Sequence, residues 1–159
     1  MTAMQKPKSW RRQTGAVLAT LLFVMITCVS ARGAEYESVK NDGVNIRAGA
    51  SDKDEILWEV FKDFPLQVLQ RQGTWTQIKD FEGDTGWISS TLLAKKQTVI
   101  VKVQIANLRS GPGQNYDPVA TVKSGVVFDL IKREGDWLQL RHADGTEGWI
   151  FSTLVWPNP

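Results

Sequence analysis

The 159 residues hold 19 Lys and Arg against 17 Asp and Glu, for a formal net charge of +2. Four of the basic residues fall in the first 31 positions, which contain no acid, so the rest of the chain has fifteen basic and seventeen acidic side chains, net −2. Interspersed charges of this kind lack the clustered basic surface that nucleic-acid binding needs. One Cys, at position 28, and one His, at 142, leave no material for disulfides, thiolate-zinc sites, multi-histidine metal sites or Cys-His catalysis.

In chain order, the first predicted element is a secretory signal over residues 1–31. Lys6, Lys8, Arg11 and Arg12 make its charged start, and Ala16 to Val29 is a nearly unbroken apolar run, short for a membrane span. Cleavage after Ala31 sets small residues at the selective positions, with Gly33 as the second choice and a retained anchor as the competing reading. Ile26 and Thr27 do not resemble a lipobox before Cys28, and Gln13 to Gly15 do not resemble a twin-arginine signal.

The remainder is one unit written twice. Val39 to Leu92 recurs without gaps as Val101 to Leu154, agreeing at 17 of 54 positions. Apolar residues alternate or run in short blocks between Gly, Asp, Asn and Pro clusters, the period of strands and not of helices. Asp144-Gly145-Thr146, with Glu82-Gly83-Asp84 as its counterpart, is a strong hairpin cue. In sixty residues, several short strands have to curl onto themselves, so each copy is expected to be a small all-β barrel of five to six strands, over 35–94 and 98–156. Inward residues are expected to include Val44, Ile46, Leu57, Val60, Leu66, Ile78 and Ile88, with Ala106, Leu108, Val119, Val122, Phe128, Leu140 and Ile150 in the second copy. Ser90-Thr91-Leu92 and Ser152-Thr153-Leu154 read as single tight helical turns whose hydroxyls could cap local N–H groups. Only Ala94 to Gln97 reads as linker, short enough to imply contact between the barrels.

Asn45-Ile46-Arg47-Ala48-Gly49 and Asn107-Leu108-Arg109-Ser110-Gly111-Pro112 resemble the opening signature of bacterial SH3 domains. Gly73-Thr74-Trp75 and Gly135-Asp136-Trp137, then Gly86-Trp87-Ile88 and Gly148-Trp149-Ile150, follow in the family's order, and the likeness covers nearly all of the chain beyond the signal. Ala50, where Pro is usual, and the charged stretch Ser51 to Glu55 depart from the pattern. The resemblance implies tandem SH3-like barrels and non-catalytic binding, commonly to cell-wall peptides or proteins outside the cell. It also implies a structural role for the signature residues Asn45, Arg47, Gly49, Trp75, Gly86 and Trp87, and for Asn107, Arg109, Gly111, Trp137, Gly148 and Trp149.

Aromatics present in one copy only are not demanded by the fold, so Trp58, Phe61, Phe81, Tyr116 and Phe151 are the candidates for ligand contact or for contact between barrels. Arg47 and Arg109 sit beside glycine turns, where an ion pair or carbonyl contact is expected. Carboxylate pairs such as Asp80 with Glu82 flank hairpins, where acids meet water, and Asp52, Asp54 and Glu55 lack calcium-loop spacing. The expectation is thus an exported periplasmic or extracellular protein that is no enzyme and uses no cofactor or metal. Its partner would be a peptidoglycan peptide or an extended segment of an envelope protein. The alternative is an assembly part of an envelope complex without wall affinity. Any membrane contact would run through an uncleaved signal, and oligomeric state is not legible.

Overall fold

The computed structural model describes residues 33–159, and the expected signal segment lies outside them. Among the described residues no helix is long and apolar enough to cross a membrane. The first copy consists of β1 (Glu35–Val39), β2 (Val44–Arg47), β3 (Ile56–Val60), β4 (Pro65–Gln72), β5 (Trp75–Lys79), β6 (Thr85–Ser89) and β7 (Leu93–Ala94). The second consists of β8 (Thr98–Val101), β9 (Ile105–Arg109), β10 (Pro118–Lys123), β11 (Val127–Glu134), β12 (Trp137–Arg141), β13 (Glu147–Phe151) and β14 (Val155–Trp156). The sheets are ordered β3-β2-β6-β5-β4-β1-β7 and β10-β9-β13-β12-β11-β8-β14, the same topology position for position. These are two tandem all-β, SH3-like domains. Each has seven segments because two-residue β7 and β14 close against β1 and β8.

Side chains alternate across each strand. Ile46, Leu66, Ile78 and Ile88 are fully buried in the first barrel, and Leu108, Leu138, Leu140 and Ile150 in the second. Two inward assignments fail for this reason. Leu57 is 45% exposed and Val119 is 49% exposed, because Trp58 with Val60, and Ala120 with Val122, hold the inner face two residues apart. The tight turns Ser90–Leu92 and Ser152–Leu154 are 3-10, as expected, but no side chain caps them. Instead Ser90 Oγ lies 2.8 Å from Thr76 Oγ1, and the Ser90 and Ser152 amides donate to Thr74 O and Asp136 O.

Gly86 and Gly148 let the sixth strand of each copy press against the second. A Cβ on Gly148 would lie 2.5 Å from Leu108 Cγ and 2.9 Å from Arg109 O, and one on Gly86 would lie 2.4 Å from Ile46 Cγ2.

The barrels touch. Ile100, on β8, is fully buried in the first barrel's core, with Val127 and Trp156 packed on that same core. The Trp156 ring meets Tyr36 of β1 edge-on at 5.3 Å. Over this apolar contact Lys96 Nζ bridges Asp63 Oδ1 at 3.0 Å and Asp129 Oδ1 at 2.6 Å, one carboxylate from each barrel. Burial pulls the Lys96 ammonium down, but its hydrogen bonds with Asp129 and Asp63 outweigh that and leave its pKa raised.

Candidate functional site

Between β2 and β3, and between β9 and β10, the chain makes a long loop held by the same device in both copies. Arg47 Nη1 donates to Asp54 O at 2.7 Å, and Arg109 Nη1 donates to Tyr116 O at 2.8 Å. Gly49 and Gly111 permit the loop to fold flat. A Cβ on Gly49 would meet Asp54 Oδ2 at 2.4 Å, and one on Gly111 would meet the Tyr116 ring at 2.4 Å. Both guanidinium groups are thereby committed to the loop.

The folded loop walls one side of a groove that occurs twice. In the first barrel the groove has a volume of about 480 Å³ and is lined by Asn45, Arg47, Trp75 and Leu92 together with Asp42, Gly43, Asp52 and Ser89. In the second it has a volume of about 360 Å³ and is lined by Asn107, Arg109, Trp137 and Leu154 together with Ile105, Gln114 and Phe151. Asn, Arg, Trp and Leu recur at equivalent positions. Four shared lining positions differ: Gly43 against Ile105, Val44 against Ala106, Asp52 against Gln114, and Ser89 against Phe151. Phe151 meets the Trp137 ring edge-on at 5.5 Å. The arrangement offers, in each barrel, a half-buried indole wall beside an amide donor and acceptor, open enough for an extended chain.

Of the five aromatics singled out as candidates, only Phe151 lines one of these grooves. Trp58 faces inward on β3 and packs on the first core, its Nε1 buried without a hydrogen-bond partner. Phe81 also packs on that core and lies 6.1 Å from Phe64. Tyr116 is exposed, but its ring lies against Gly111 and Gly113. Phe61 stands edge-on to Phe64 and lines a cleft of about 500 Å³ between the barrels, opposite Phe128, Arg141 and His142. Trp149 is 7% exposed with Lys132 Nζ 5.0 Å from its ring centroid, so it belongs to the framework.

Asn45, Trp75, Asn107 and Trp137, sorted by the sequence as framework because they recur, line the grooves. Recurrence marks a duplicated surface as readily as a duplicated core, and only coordinates separate the two. Trp156 was overlooked although it too is an unmatched aromatic, facing Ala94 just beyond the aligned stretch.

The carboxylates of Asp80, Glu82 and Asp84 offer oxygens within 4.8 Å of one another. Asp80, however, is buried and spends Oδ1 on the amides of Glu82, Gly83 and Asp84, at 3.0, 2.9 and 2.9 Å. It is a turn anchor.

A family model described as bacterial SH3 domain matches residues 40–95 and again 102–157. Among curated proteins the chain is similar to the putative N-acetylmuramoyl-L-alanine amidase YrvJ of Bacillus subtilis (strain 168), with 28% identity over 156 residues. That alignment covers 84% of this chain and 30% of the relative, so the chain spans less than a third of the relative's length. Among solved structures, NlpC1 from Trichomonas vaginalis overlaps at 16% identity and a TM-score of 0.33, over 80% of this chain and 47% of that one. An NlpC/P60 family protein from Bacillus cereus ATCC 10987 overlaps at 11% identity and a TM-score of 0.36, over 76% and 55%. The curated relative corrects one expectation. A free-standing binder of peptidoglycan peptides or envelope segments, or an assembly part without wall affinity, gives way to a unit similar to part of a putative N-acetylmuramoyl-L-alanine amidase.

Proposed function

Because the chain belongs to the bacterial SH3 domain family, we propose that its two barrels are the accessory half of a cell-wall hydrolase system of the N-acetylmuramoyl-L-alanine amidase type. They hold the wall polymer while the hydrolase cuts it. The observation that carries this reading is the duplicated groove, with the same Asn, Arg, Trp and Leu in each barrel. Two grooves on barrels joined through Ile100, Trp156 and Lys96 engage one long polymer at fixed spacing, and the second contact then forms at high effective concentration. The relative named above supports the link to wall hydrolysis. On this reading the chain works at the cell wall, in the periplasm or outside the cell, after export by its N-terminal segment.

Sedimentation of the purified chain with isolated sacculi tests the binding half. Retention is expected, and replacing Asn45 and Asn107 together by Ala should weaken it roughly thirtyfold, two lost hydrogen bonds at about 1 kcal/mol each. Adding the chain to an amidase acting on the same sacculi tests the other half. Absence of both retention and any change in the rate of wall solubilisation would sink the proposal.

A further inference from the structure

The two grooves share Asn, Arg, Trp and Leu, and the differences among their exposed lining residues run from polar or acidic in the first to apolar or neutral in the second. The first contains two carboxylates, Asp42 and Asp52, against one cation, Arg47, whose Nη1 donates to Asp54 O, so its acids outnumber its bases by one. Asp42 gives one oxygen to the Lys62 amide at 2.9 Å and keeps the other. The second groove has no acid and keeps the positive charge of Arg109, whose Nη1 donates to Tyr116 O. In place of Gly43, Asp52 and Ser89 it has Ile105, 61% exposed, with Gln114 and Phe151, and Phe151 and Trp137 form an aromatic corner. An exposed isoleucine beside two rings is an apolar platform, whereas two carboxylates beside an indole suit a cation.

We propose that the grooves have parted in ligand chemistry: the first is a subsite for an ammonium-bearing residue, and the second stacks the apolar face of a sugar ring. This deepens the wall-holding reading and rests on it. A polymer carrying both groups would bind across the pair in one orientation, because exchanging the grooves sets an ammonium on the aromatic corner and a ring against carboxylates.

The other copy supplies the test substitutions, since each residue introduced is one that the same topology already accommodates. The probes are wall glycan strands stripped of peptide, and a short peptide with one free lysine ε-ammonium, with its acetylated form as control. Phe151→Ser is expected to lower the ratio of glycan to peptide affinity about tenfold, the order of a lost aromatic stacking contact. Asp52→Gln is expected to raise that ratio about threefold at low salt, with the effect fading as salt rises, as for an exposed ion pair. Wild type should prefer the free lysine to its acetylated form. If wild type is retained on sacculi but neither substitution moves the ratio, or both move it the same way, the division of chemistry is overturned while the wall-holding reading stands. Loss of wild-type retention on sacculi overturns both.

Discussion

Asp80 and His142 occupy the same position in the two copies and do the same work by different means. Both amides close the hairpin, donating to Asp84 O at 3.0 Å and Thr146 O at 2.8 Å. Asp80 adds a buried carboxylate oxygen that accepts three turn amides. Asp80→Ala strands those donors and should lower stability by about 2 kcal/mol, while Asp80→Asn keeps an acceptor and should cost less, in urea titrations. In the second copy the turn is held by Asp144, whose Oδ1 accepts the Thr146 amide at 2.8 Å with His142 Nδ1 3.1 Å away. The hydrogen bonds from Thr146, backbone and then hydroxyl, followed by His142, hold its carboxyl down to about 2 from the usual 3.8. A depressed carboxyl stabilises the fold above its unfolded pKa, and that contribution disappears as pH falls through the folded one. Wild type should therefore lose stability between roughly pH 4 and pH 2 with a slope that Asp144→Asn flattens, measurable as urea midpoints across that window. This turn was legible as a hairpin from Asp-Gly-Thr, but its proton chemistry was not, since it depends on which atom Thr146 addresses.

At the level of strands, the constraint is how closely β6 approaches β2, and β13 approaches β9. Gly148→Ala forces a methyl into Leu108 and the Arg109 carbonyl, and should destabilise by about 2 kcal/mol in equilibrium unfolding. A smaller effect is expected at Gly33, where an added Cβ meets nothing within 4 Å. Strand existence and order of the fold were readable because alternation and turn residues are local signals. Which face each residue took was readable only where the period was respected. Placing both Leu57 and Val60 inside breaks a two-residue period, and the structure restores it by bringing in Trp58. The groove was the least visible part. It is assembled from the second, fifth and sixth strands, two loops and a 3-10 turn, and its two best residues, Asn45 and Trp75, are thirty positions apart.

Across the whole molecule, the second barrel lends side chains to the first barrel's core. Ile100 comes from the second sheet but is buried in the first core. Ile100→Ala should cost about 3 kcal/mol, and its effect should appear as lost hydrogen-exchange protection at Val39 and Ile78, in the first barrel, as well as on its own strand. Urea should unfold both barrels in one transition followed by tryptophan fluorescence. Two separate transitions, with Ile100→Ala shifting only the second, would contradict a shared core. The short linker announced contact between barrels, and alternation sets Ile100 on the face opposite Val99 and Val101, but nothing in the sequence showed that this face meets the other barrel's core.

The edge-on meeting of Tyr36 with Trp156 has an architectural corollary. Sixty-two residues along from Tyr36 stands Thr98, and sixty-two back from Trp156 stands Ala94, so neither copy could offer the same handshake to a further neighbour. The doubling has lost its translational symmetry: shuffling the halves, or stringing more of them together, would give beads without this clasp. These two copies are a mated couple, with head and tail assigned.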